Sequence, residues 1–188
     1  MMRHLRGIVL AGGRSSRMGG RHKPAIPVSG APMVAHAVGA LRAIGAEVIV
    51  VGSPEGVPDG VPVVQEDPPF GGPLSAVAAG LDHLATDRDA LVILLGGDMP
   101  FTTPAALSAL AEAAAGGAAC AEDESGSPQP LCAAWNEALL RDRIAAVGDA
   151  VNRPLRILYD GFEPRRVALP RSVLRDIDTP DDLAAAGG

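Results

Sequence analysis

Short apolar runs alternate along this chain with stretches whose apolar residues recur every three or four positions. The run Gly7-Ile8-Val9-Leu10 predicts a first strand. Residues 32–44 then place Val34, Ala37, Val38, Leu41 and Ile44 on one helical face, with Pro32 in the first turn and Gly45 as the stop. Glu47-Val48-Ile49-Val50-Val51 is nearly continuous in apolar residues, as expected of a strand covered on both faces. A short strand over 61–64 ends at Gln65-Glu66-Asp67. A helix over 72–84 follows, with Leu74, Val77, Ala78 and Leu81 at helical spacing. Leu91-Val92-Ile93-Leu94-Leu95 is the most strand-like run of all, and a helix over 104–115 turns Leu107, Leu110, Ala111 and Ala114 inward.

The second half is less regular. It reads as a strand over 118–121, a polar loop over 122–129 and a strand over 130–135. Asn136 caps a helix running to Val147, and a mobile loop over 148–153 precedes residues 155–159. Short strands over 165–169 and 173–176 lead to a terminal helix with Thr179 as N-cap and Pro180 in its first turn. Strands alternating with helices predict an α/β fold around a mostly parallel sheet. Ligands of such sheets sit beyond the carboxyl ends of the strands, where Gly12-Gly13, Asp67 and Asp98 all fall.

Composition narrows the class. With 188 residues, 47% apolar and 20% charged, the chain reads as one globular domain over 1–188, with a more regular part over 1–115 and a less regular one over 116–188. A formal charge of −6 and only 3% aromatics argue against a nucleic-acid surface. The apolar run after the basic start Met1-Met2-Arg3-His4-Leu5-Arg6 is too short for a secretory signal, which needs roughly 7–15 apolar residues, or for a membrane span. A cytoplasmic protein is expected, with no membrane contact. Cys120 and Cys132 read as free thiols.

Against this acidic background one loop stands out. Gly12-Gly13-Arg14-Ser15-Ser16-Arg17-Met18-Gly19-Gly20-Arg21-His22-Lys23 leaves the end of the first strand rich in glycine and basic residues, and Lys23 is the chain's only lysine. Glycines let backbone N–H groups close on an oxyanion, while the cations neutralise it. A lone lysine among arginines marks a place for a compact ammonium. The spacing is neither that of a P-loop, since Pro24 follows Lys23, nor G-x-G-x-x-G. A loop of this length can wrap a triphosphate. Asp98, after Gly96-Gly97 at a strand tip, is a hard oxygen ligand suited to Mg²⁺, which takes one or two carboxylates plus phosphate oxygens and water. Asp67 could bind a nucleoside hydroxyl or simply form the turn before Pro68-Pro69. Of Asp176 and Asp178, one could reach the site. Without a nucleophile constellation, the natural chemistry is direct displacement at phosphorus.

Leu10-Ala11-Gly12-Gly13-Arg14-Ser15-Ser16-Arg17-Met18-Gly19 with Lys23-Pro24 resembles the opening loop of the MobA-type molybdenum cofactor guanylyltransferases. Gln65-Glu66-Asp67 before Gly72-Pro73-Leu74, then Gly97-Asp98-Met99-Pro100, Gln129-Pro130-Leu131 and Asp176-Ile177-Asp178-Thr179-Pro180 continue the likeness in family order. The resemblance implies a Rossmann-like three-layer α/β/α nucleotidyltransferase fold and Mg²⁺-dependent transfer of GMP from GTP to molybdenum cofactor (molybdopterin), releasing pyrophosphate. It implies nucleotide contacts at Leu10, Ala11, Gly12, Gly13 and Asp67, phosphate contacts at Arg17 and Lys23, and nucleotide and metal at Asp98. Asp178 matches a second metal ligand of related enzymes. A monomer or weak oligomer in transient contact with cofactor-biosynthesis or acceptor proteins is expected.

Three positions depart from the family pattern: His22 replaces the usual Asp before the lysine, Gly52-Ser53 replaces an Asn, and Ser75-Ala76 follows Pro73-Leu74 where Ala-Gly is usual. A cytidylyl donor, a sugar-phosphate or phospholactate acceptor, and a non-catalytic nucleotide-binding protein are the alternatives.

Overall fold

The computed structural model describes residues 4–13, 22–177 and 180–185. Strand β1 (Leu5–Ala11) is followed, beyond the loop, by a 3₁₀ turn (Lys23–Ala25) and a small hairpin of β2 (Pro27–Val28) and β3 (Ala31–Pro32). Then come α1 (Met33–Ala43), β4 (Glu47–Gly52), β5 (Val63–Val64), α2 (Pro73–His83), β6 (Leu91–Gly96) and α3 (Pro104–Ala113). The second half contributes β7 (Ala118–Glu122), β8 (Pro128–Asn136), α4 (Glu137–Val147), a 3₁₀ helix (Leu155–Tyr159), β9 (Arg165–Ala168), α5 (Arg171–Leu174) and α6 (Pro180–Ala185).

One sheet of order β5-β4-β1-β6-β8-β7-β9 runs through both halves. β5, β4, β1 and β6 are mutually parallel, and β9 is parallel to β7. β8 alone among the described strands of this sheet is antiparallel to both of its neighbours. The period-2 alternation of each strand sends neighbours to opposite faces. Val9, Val50, Ile93 and Cys132 pack beneath α1 and α3, whereas Ile8, Ile49, Leu94 and Ala133 pack against α2 and α4. The result is three layers, with β1, β4 and β6 covered on both sides as their uninterrupted apolar runs require.

Helix ends follow local chemistry. The side chain of Thr103 accepts from the Ala106 amide at 3.2 Å, and that of Asn136 accepts from the Leu139 amide at 3.1 Å, so each satisfies an orphan donor of the first turn. One expectation is corrected. Residues 173–176 form no strand: the helical turn α5 occupies 171–174 and extended chain follows. β9 already ends the sheet, and the segment turns away at Pro170 so that Leu174 and Ile177 can be buried. The expected cap at Thr179 lies outside the described residues. The loop over 148–153 is tied down where the Asn152 amide donates to the Gly71 carbonyl at 2.6 Å.

Candidate active site

β1, β4, β5 and β6 all deliver their carboxyl ends to one side of the sheet, and a cleft with two chambers lies there. The first, of about 430 Å³, is on the β4 and β5 side and is lined by Ala11, His22, Gly52, Ser53, Pro54 and Gln65. The second, of about 270 Å³, is on the β6 side and is lined by Leu10, Gly72, Pro73, Ala76, Asp98 and Leu131. Gly12, Gly13, Glu66 and Phe70 line both, so the chambers communicate.

The floor is backbone. A Cβ at Gly52 would stand 2.6 Å from the Ala11 carbonyl carbon, and Gly52 has φ +125°, so no side chain fits there. Its glycine is therefore a demand of the β1–β4 contact. Across the sheet, the Gly97 amide donates to the Leu10 carbonyl at 2.9 Å and fixes the start of the turn that presents Asp98.

Lys23 and Asp98, 75 positions apart, meet here. The Lys23 ammonium donates to Asp98 Oδ2 at 2.7 Å, with both side chains largely shielded from solvent. Packing fixes this meeting. Ile26 and Val28, just after Lys23, form a small cluster with Met33 and the fully buried Ile177. The Ile177 amide in turn donates to the Asp98 carbonyl at 3.3 Å. The extended segment at 175–177 thereby clasps both charged residues, and Arg175 lies over the Phe101 ring at 5.3 Å.

Asp98 suits a hard divalent cation in its donor chemistry. No group of three or more His, Cys, Asp or Glu that could hold a metal occurs among the described residues.

Of the residues singled out from the sequence, Leu10, Ala11, Gly12 and Gly13 line the cleft, and Lys23 and Asp98 pair at it. Asp67 is exposed and lines a separate outer groove between α2 and residues 148–151. Arg17 and Asp178 lie outside the described residues.

Glu66 was not singled out. It is 6% exposed and lines both chambers; its Oε1 accepts from the Phe70 amide at 3.1 Å, and its Oε2 is buried without a partner among the described residues. Alternation at a strand end predicts that Glu66 and Asp67 point oppositely, but the sequence does not say which turns inward. Phe70, 53% exposed with φ +63°, stands at the rim. His22 lines the first chamber with its Nε2 buried and without a partner among the described residues. Burial pulls its pKa below the ordinary value, only partly opposed by Glu55. Cys120 and Cys132 are fully buried in the sheet, the second with its thiol pushed up to about 12 by burial, so both are chemically quiet.

Residues 7–163 match the MobA-like NTP transferase domain. The chain belongs to that family. The molybdenum cofactor guanylyltransferase of Cereibacter sphaeroides is 31% identical over 96% of this chain and 94% of its own. The one from Bradyrhizobium is 32% identical over 96% of this chain and 90% of its own. Among solved structures, the molybdopterin-guanine dinucleotide biosynthesis protein A of Archaeoglobus fulgidus superposes with a TM-score of 0.71 at 20% identity, covering 96% of each chain. The 2-C-methyl-D-erythritol 4-phosphate cytidylyltransferase of Thermus thermophilus does so with 0.70 at 23%, covering 97% of each. These two proteins, named for different bases, share this fold. No described helix of this member is long and apolar enough to cross a membrane.

Proposed function

We propose that this chain transfers the guanylyl group of GTP to the terminal phosphate of molybdenum cofactor, giving the guanine dinucleotide form and pyrophosphate. The observation that carries the reading is the Lys23–Asp98 pair at the strand-tip cleft of a chain alignable almost end to end with molybdenum cofactor guanylyltransferases.

In the reaction an acceptor phosphate oxygen forms a bond to the α-phosphorus, and the bond from that phosphorus to the bridging oxygen of the β-phosphate breaks. Pyrophosphate leaves with the electron pair. Charge gathers on the non-bridging and leaving oxygens, and cations placed beforehand stabilise it. Lys23 supplies one such charge, released from Asp98 toward the phosphates as the nucleotide enters. Arg17, as a bidentate donor, takes the outer phosphates.

Mg²⁺ is the proposed cofactor; bound, it neutralises phosphate charge and polarises the α-phosphoryl group. Asp98 would hold it, with Asp178 as a second ligand. Leu10 to Gly13 bring backbone N–H groups against the nucleoside, and Asp67 acts through the loop at 66–72. Residues 116–188 contribute the acceptor side, with Leu131 already at the second chamber. The test is pyrophosphate release on mixing the protein with GTP, Mg²⁺ and molybdenum cofactor. Release that requires all three is expected; its absence overturns the reading.

A further inference from the structure

Two of the buried polar side-chain atoms that lack a hydrogen-bond partner among the described residues, Glu66 Oε2 and His22 Nε2, line the same chamber. A buried carboxylate oxygen without a donor is costly, and in a chamber open to a ligand that donor comes from the ligand. Resting on the guanylyl-transfer reading, we infer that Glu66 is the residue by which this chain selects guanine. Its Oε2 accepts from the base N1–H and 2-amino group, while its Oε1 keeps the 66–70 loop folded.

The chemistry separates the bases. Guanine presents two adjacent donors, N1–H and the 2-amino group, which one carboxylate can accept together. Adenine and cytosine each set an amino donor beside a ring-nitrogen acceptor, whose lone pair opposes a carboxylate. Uracil offers one N–H between two carbonyls. Guanine also carries acceptors at O6 and N7, and a neutral imidazole can donate to either. His22, held in the same chamber, supplies that complement.

Placement agrees. The chamber on the β4 and β5 side excludes Asp98, the chamber on the β6 side contains it, and Glu66 lines both. A nucleotide with its phosphates at Asp98 therefore sets its base in the first chamber. Gly52 lines that chamber with backbone alone. Phe70, whose amide Glu66 Oε1 holds at 3.1 Å, stands at the rim of both chambers with an exposed ring that can close over the base.

The test is calorimetry of the full chain with GTP, ITP, ATP and CTP in the presence of Mg²⁺. ITP keeps N1–H and O6 and lacks the 2-amino group. The wild type is expected to bind GTP about tenfold more tightly than ITP and about a hundredfold more tightly than ATP or CTP, in line with loss of one or more charge-assisted hydrogen bonds. Glu66→Gln retains an oxygen for the Phe70 amide, so an unchanged melting temperature will show that the loop survives. In that variant GTP affinity should fall by at least about tenfold and the GTP-to-ITP ratio shrink to within about threefold. His22→Ala should weaken GTP and ITP alike.

Equal wild-type affinity for GTP and ITP, or an undiminished ratio in Glu66→Gln, overturns the assignment; so does loss of the ratio in Asp67→Asn with Glu66→Gln unaffected. The outcomes separate from those of the parent reading. GTP-selective binding that depends on Glu66 without transfer to molybdenum cofactor removes the acceptor alone. Transfer with selectivity indifferent to Glu66 removes the base assignment alone.

Discussion

Lys23 and Asp98 hold each other at 2.7 Å. In the proposed reaction each exchanges that partner for the nucleotide and its cation, and removing either charge would leave the transition state less well stabilised. Lys23→Ala and Asp98→Asn are each expected to lower turnover by at least about tenfold in a pyrophosphate-release assay. Lys23→Arg should also lose activity, since a planar fork cannot occupy the place of a compact ammonium packed against Asp98. His22 gives a separate, titratable signature. Burial lowers its folded pKa below the unfolded value of 6.5, so below about pH 6.5 the unfolded chain binds more protons than the folded one. Stability should therefore fall as pH drops from 7 toward 5. His22→Gln should show a shallower fall in melting temperature over that window.

At the scale of elements, the cleft depends on how closely β1 and β4 run. Their register pairs Ala11 with Gly52, and a side chain at 52 would strike the Ala11 backbone at 2.6 Å in a left-handed conformation that glycine alone adopts freely. Gly52→Asn, which restores the residue type usual in the resembled family, is expected to destabilise the protein by about 2 kcal/mol or more in urea denaturation, and to weaken GTP binding. The loop at 66–72 is the second determining element. Glu66 holds it from within through the Phe70 amide, and the Asn152 amide holds it from outside through Gly71.

Over the whole molecule, charge is handled differently at the two ends of the sheet. At the amino ends of the strands, fully buried Glu137 accepts from Arg6 and, at 2.8 Å, from Arg141, while the Asp87 amide donates to it at 3.1 Å. This knot joins β1, α4 and the turn before β6, far in sequence and closed on itself. Glu137→Ala leaves Arg6 buried without its anion and should cost about 3–5 kcal/mol, measured by denaturant unfolding. GTP affinity of the folded fraction should stay within about threefold of wild type, because no residue of the knot lines the cleft. At the carboxyl ends, among the described residues, Glu66 Oε2 and His22 Nε2 are buried without a hydrogen-bond partner and face the cleft, as suits a site completed by its ligand.

The sequence by itself determined the layered α/β framework, because continuous apolar runs and three-to-four spacings are local signals that survive into the fold. It also determined the glycine-rich first loop with Lys23, and Asp98 at a strand tip, because strand ends in a parallel sheet share one side. The strand expected over 173–176 failed because Leu174 is drawn into the main core and Ile177, just beyond, clasps Asp98 and the segment after Lys23, contacts formed across the molecule. Only the tertiary structure decided that Glu66 turns into the cleft while Asp67 lies outside it, and that His22 and Glu66 share one chamber. Direction at a strand end, and burial of one carboxylate beside another, are set by what packs around them and leave no trace in the order of residues.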